Sequence, residues 1–186
     1  MKFHQTALPG VFQIETTPHG DARGLFARLF CPVEFADAGI DFAPTQVNLS
    51  TNTQVHTLRG MHFQQPPHAE AKLVRVIRGR AWDVAVDLRP GAGFGRWTAA
   101  ELSATAMNAL FLPEGIAHGF LTLEPDTQIL YQMGKDFEPG HADGLCWDDP
   151  DLAIEWPAAP AVIADKDRSW PALQDRDDLT RTGGTR

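Results

Sequence analysis

Sixteen glycines and fourteen prolines are spread along the 186 residues rather than gathered into a linker, and short apolar runs lie between them. Punctuation this frequent leaves room for strands and turns but little for long helices. The clearest runs alternate with a period of two. Within residues 81–89, Trp82, Val84, Val86 and Leu88 share one face while Ala81, Asp83, Ala85 and Asp87 share the other, as on a pleated strand. Residues 72–78 read as a second strand, and Gly79 between the two predicts a hairpin. Residues 46–50, 57–64, 109–112, 117–123 and 127–133 are further strand candidates. The one clear helix signal in the first half is residues 32–38, with Pro32 at the first turn and Gly39 beyond the end. A short helix is expected after Pro171. Many short strands and few helices predict an all-β sandwich or barrel of jelly-roll type with a few short peripheral helices. The length suits one core, so a single domain is expected over residues 1–175, with a flexible tail at 176–186 and fraying from Thr180.

Composition narrows the partners. Hydrophobic residues make up 43% and charged residues 22%, as in soluble globular proteins, and no apolar run nears the ~18 residues of a membrane span. The opening Met1-Lys2-Phe3-His4-Gln5 lacks the apolar stretch of a secretory signal. Cys31 and Cys146 stand far apart and outside any metal or redox motif, so they read as packing residues in a reducing compartment. The expectation is a cytoplasmic chain without a membrane partner. A formal net charge of -8 argues against nucleic acid. A nucleotide is a different matter, because two or three arginines hold a diphosphate locally through bidentate hydrogen bonds.

Several polar and ionisable groups interrupt the apolar strands: Arg23, the Gln46-Val47-Asn48 string, Leu58-Arg59-Gly60-Met61-His62-Phe63-Gln64, Lys72, Pro113-Glu114-Gly115-Ile116-Ala117-His118-Gly119-Phe120, and Tyr131, the sole tyrosine. Burying such groups is costly unless they are paired, and a polar cavity inside a β-barrel resolves the cost. His62 can accept and release a proton near neutrality, while a phenol is a poor base but a competent proton donor. Strict alternation sets Arg59 and His62 on opposite faces. Either Gly60 marks a bulge or Arg59 reaches a different pocket, one shared with a partner subunit. His4, His19, His56, His68 and His141 read as structural, with His56 and His68 as candidates for a rim.

These strings, together with Lys72-Leu73-Val74, Asp83-Val84-Ala85-Val86-Asp87-Leu88-Arg89 and Trp147-Asp148-Asp149-Pro150, resemble in order and spacing the dTDP-4-dehydrorhamnose 3,5-epimerase family, a branch of the cupin jelly rolls. The likeness runs from about Gly10 to Pro171. It implies a homodimeric, cofactor-free isomerase inverting C3, C5 or both of a nucleoside-diphosphate 4-keto-6-deoxyhexose. By the same resemblance His62 is the base, Tyr131 the acid and Lys72 the donor awaiting the enolate oxygen, while Asp167 orients His62, with Asp165 and Asp83 as alternatives. Arg23, Arg59 and His118 are then expected on the diphosphate, and Phe26, Gln46 and Asn48 on the base or sugar. Metal-binding cupins typically use a His-x-His pair with a Glu and a later His; here one His stands at that place and Lys72 brings a cation, so no metal is expected. Four positions depart from the family: Arg28 for Glu, Phe137 for an aromatic hydroxyl, His56 for Gly and Glu70 for Gln. They favour, as alternatives, a single-centre epimerase or keto-sugar isomerase acting on a different nucleotide sugar. A non-catalytic binding module and a metal-dependent cupin are the rivals of other classes.

Overall fold

The alternating runs resolve into two sheets laid face to face in the computed structural model, which describes residues 1–181. The first sheet runs in the order β1 (Lys2–Gln5), β2 (Phe12–Glu15), β10 (Ala109–Leu112), β7 (Lys72–Arg78), β12 (Thr127–Met133) and β5 (Gln46–Asn52). The second runs β13 (Ala142–Gly144), β6 (Thr57–Gln64), β11 (Ile116–Thr122), β8 (Arg80–Asp87) and β9 (Trp97–Ser103). A short β14 (Val162–Ile163) joins β6 in parallel, and β3 (His19–Asp21) with β4 (Gly24–Phe26) forms a separate hairpin. This is the all-β sandwich the punctuation predicts.

Inward-facing Val74, Val76 and Ile129 of the first sheet pack against Ala81, Ala85, Leu102 and Phe120 of the second. The second sheet is covered outside as well. Met61, Val84, Val86 and Ala117 are buried there beneath Leu145 and Leu152, which explains why β8 is apolar on its Val84 face. Asp149 fixes that outer layer, its buried carboxylate accepting from the backbone N–H groups of Asp151, Leu152 and Leu173. Over the first sheet, Ile14, Leu73 and Phe111 lie under α1 (Pro32–Asp37). That helix starts with proline and ends at Gly39, whose φ of +77° only glycine adopts without strain. Its buried Phe35 meets Phe3, Phe30, Phe42 and Phe111, a burial worth ~1.5–3 kcal/mol.

Two expectations fail. Residues 72–78 and 81–89 do not pair as a hairpin: β7 sits between β10 and β12, and β8 sits between β11 and β9 in the other sheet. Gly79 instead carries the chain across the sandwich at φ +76°, where a Cβ would lie 2.5 Å from Thr127 Oγ1. The crossing places the apolar faces of both strands against each other, whereas a hairpin would leave them side by side in one layer. The chain from residue 176 does not hang free either. Arg176 is buried, donates to Asp143 Oδ2 (2.7 Å) and the Gly144 carbonyl (2.8 Å), and lies over the Phe63 ring. Beyond Pro171 come a 3-10 turn at Leu173–Asp175 and α3 (Asp177–Arg181). The remainder of the expected tail, 182–186, lies outside the described residues.

Candidate active site

At one end of the sandwich the two sheets part around a cavity of about 470 Å³, within the range of small-molecule sites. Its floor and walls include Arg59 and His62 from β6, Lys72 from β7, His118 from β11, Tyr131 from β12 and Asn48 from β5. The inward period-two positions of strands in both sheets therefore converge there. His62 and Tyr131 come from opposite sheets and face the cavity from its two sides.

The arrangement depends on a bulge. His62 pairs with His118 and Arg59 with Phe120, three steps along β6 against two along β11. The extra residue rotates the strand by half a period, so Arg59 and His62 line one cavity. Gly60 makes this possible with φ +138°, because a Cβ there would lie 2.5 Å from Gly119 Cα. Of the two alternatives alternation leaves open, the bulge is the one realised.

His62 Nε2 lies 2.7 Å from Asp167 Oδ1. The carboxylate comes from α2 (Asp165–Arg168), a short helix absent from the sequence reading. It also accepts from the Gly60 N–H (3.2 Å) and from Trp170 Nε1 (3.3 Å). Burial works to raise the Asp167 carboxyl, but hydrogen bonds from His62, Gly60 and Trp170 and the charge of an imidazolium outweigh it and hold it below the ordinary carboxylate value. Asp83, the alternative partner for His62, instead holds His118 Nε2 at 2.9–3.0 Å with both carboxylate oxygens.

Lys72 is buried, pairs with Glu70 Oε1 at 2.7 Å and donates to the His62 carbonyl at 3.2 Å. Burial pushes the Tyr131 phenol well above its ordinary value, and the charge of Asp83 adds to the shift; Arg59 and Ser50 pull weakly the other way. Tyr131 thus holds its proton at every physiological pH. Arg59 is oriented by Asn52 Oδ1, 2.8 Å from its Nε. The site therefore offers an imidazole backed by a carboxylate, a fixed ammonium, and a neutral phenol on the far side. That set can move a proton to and from carbon while holding a charge on oxygen. Among the described residues no three His, Cys, Asp or Glu side chains gather as metal ligands do.

Not every expected residue reaches the cavity. Arg23 and Phe26 belong to the exposed β3–β4 hairpin, which pairs with neither sheet, and Arg23 folds back onto Asp21. The expectation that they touch the same ligand as His62 is not met within one chain. Gln46 does not line the cavity, but its amide contacts Asn48 and accepts from the Phe137 N–H, two residues that do. His118 lines it while committed to Asp83, so its outward donor capacity is narrower than a diphosphate ligand implies. The sequence reading missed Trp170 and the pairing of Asp83 with His118. The second was legible in principle: an Asp flanked on its own face by Ala81 and Ala85 needs a partner once that face is buried.

A family model described as dTDP-4-dehydrorhamnose 3,5-epimerase matches residues 5–175. A dTDP-4-dehydrorhamnose 3,5-epimerase of Sinorhizobium fredii is 41% identical over 175 residues, 93% of this chain and 90% of that protein. The rmlC epimerase of Mycobacterium tuberculosis superposes with a TM-score of 0.91 at 36% identity, covering 97% of this chain and 93% of that one. ChmJ of Streptomyces bikiniensis, a 3'-monoepimerase solved with dTDP-quinovose, superposes with a TM-score of 0.87 at 32% identity, covering 95% and 89%.

Proposed function

This chain belongs to the dTDP-4-dehydrorhamnose 3,5-epimerase family, and we propose that it is an isomerase that epimerises a nucleoside-diphosphate 4-keto-6-deoxyhexose through an enolate, without a cofactor. The observation that carries the reading is His62, backed by Asp167 at 2.7 Å, facing Tyr131 across a cavity that Lys72 also lines. His62 takes the proton from a carbon beside the ketone. Lys72 donates to the oxygen on which charge develops, and it is already in place before the reaction. Tyr131 then returns a proton from the opposite face, which inverts the centre. Asp167 fixes the imidazole tautomer and favours its charged form after abstraction. Arg59 holds the diphosphate end and His118, its Nε2 taken by Asp83, adds only its other ring nitrogen, while Asn48, positioned by Gln46, meets the sugar or base. The protein works as a cytoplasmic homodimer in which Arg23 and Phe26 bind substrate at a neighbouring protomer's site.

The test is incubation with the keto-sugar in D2O. Deuterium at both C3 and C5 is expected, His62→Ala and Tyr131→Phe each slow turnover by ~10²-fold or more while folding normally, and wild-type rates in either variant remove that residue from the scheme. Deuterium at one carbon alone supports a second reading, a single-centre epimerase, which the Glu70 and Phe137 departures and the likeness to a 3'-monoepimerase favour.

A further inference from the structure

Glu70 has no part in the scheme above, yet it lies at its centre. Its side chain is 3% exposed and lines the cavity between the sheets. One carboxylate oxygen takes the Lys72 ammonium at 2.7 Å. The other, Oε2, is buried and has no hydrogen-bond partner among the described residues. A carboxylate oxygen removed from water without a donor is strongly unfavourable, and buried acceptors are nearly always satisfied. Because Glu70 lines a ligand cavity, a small turn of its side chain brings this oxygen to a donor that the ligand carries.

The identity of that donor follows from Lys72. With the ammonium at the ketone oxygen, a carboxylate 2.7 Å from it stands beside the substituent on the neighbouring carbon. In a 4-keto-6-deoxyhexose the two neighbours of C4 differ: C5 bears the ring oxygen and a methyl group, whereas C3 bears a hydroxyl. Only C3 offers a donor. Resting on the epimerase reading, we infer that Glu70 is a specificity-determining residue whose free carboxylate oxygen accepts a hydrogen bond from the C3 hydroxyl of the bound sugar. Glu70 and Lys72 thus clamp the ketone and its vicinal hydroxyl as a pair, and C3 is the centre whose geometry Glu70 senses.

The experiment is calorimetric titration of the full chain with thymidine diphosphate 6-deoxyglucose, which lacks the ketone and does not react, and with its 3-deoxy counterpart. Wild type is expected to prefer the hydroxylated sugar by about ten- to a hundred-fold, as befits a hydrogen bond to a charged acceptor. Glu70→Ala brings the ratio to within about three-fold, and Glu70→Gln, which keeps shape and an uncharged acceptor, falls between. Affinity for thymidine diphosphate alone stays unchanged in both and reports an intact fold. With the keto-sugar in D2O, Glu70→Ala, which removes the acceptor, slows deuterium uptake at C3 by about ten-fold relative to C5. A wild type indifferent to the 3-hydroxyl, or a preference unchanged in both variants, overturns the inference and leaves Glu70 as a partner for Lys72 alone. Failure of wild type to bind either nucleotide sugar sinks the epimerase reading itself, a result distinct from binding without preference.

Discussion

Asp167 illustrates how one side chain links stability and chemistry. Its carboxyl is held below the ordinary value by His62, Gly60 and Trp170 against the opposing effect of burial. A carboxyl depressed in the folded state contributes stability above its unfolded value of ~3.9, and loses it as pH falls through the folded one. The unfolding free energies of wild type and Asp167→Asn should therefore differ near pH 5 and converge as pH falls toward 2, as read from urea denaturation at each pH; a constant gap would mean that the charge of Asp167 is not what stabilises the pair. Turnover of the Asn variant at neutral pH should drop by ~10²-fold, because the imidazole loses the group that orients it. Such residues were unevenly legible. His62, Lys72 and Tyr131 stand out as ionisable groups inside apolar strands, whereas Asp167 lies in a run of alternating charges, Asp165-Lys166-Asp167-Arg168, that composition alone reads as solvated. Glu70 precedes its strand in a segment that reads as a turn. Only the meeting of β6, β7 and α2 turns Asp167 and Glu70 inward.

Among the elements, β6 depends most on one residue. Gly60→Ala places a Cβ on the backbone of Gly119 and forces a φ of +138° on an L side chain. The expected cost is about 3–4 kcal/mol by chemical denaturation. Any surviving folded protein should bind nucleotide poorly, since without the bulge Arg59 leaves the face of His62. A near-neutral effect would show that β6 reaches the same geometry without glycine. Strand extents were legible because period-two patterns are local. Partners were not, because β7 finds β10 and β12 across long stretches of chain, and the nearest neighbour in sequence, β8, lies in the other sheet. Arg75 shows the same limit. Nothing local to its strand marks it for burial, yet it is buried and bridges the carbonyls of Leu29 (2.7 Å) and Met107 (2.7 Å), with burial pushing its guanidinium down to about 10. Arg75→Met should cost ~2–3 kcal/mol by leaving both carbonyls unmet, and should raise amide exchange around Leu29 before the rest of the sheet.

For the molecule as a whole, the exposed β3–β4 hairpin is the feature a single chain does not explain. Leu25 is 65% and Phe26 77% exposed on strands that pair with neither sheet, and Leu29 and Val33 are exposed nearby. Apolar side chains clustered on a projecting element mark a surface that is covered in the working protein. In the proposed homodimer the hairpin of one protomer packs on its partner, and the same packing carries Arg23 and Phe26 toward a cavity they do not reach in their own chain. The two roles make a joint prediction. Replacing Leu25 and Phe26 together by Asp should convert a dimer into a monomer in sedimentation equilibrium while leaving the far-ultraviolet circular dichroism unchanged, because no core cluster includes either residue. The KM for the keto-sugar should rise at least ten-fold in the monomer, whereas deuterium exchange at saturating substrate, which depends on His62, Lys72 and Tyr131 of one chain, should persist. A variant that stays dimeric with an unchanged KM would place both the interface and the substrate contacts elsewhere on the surface.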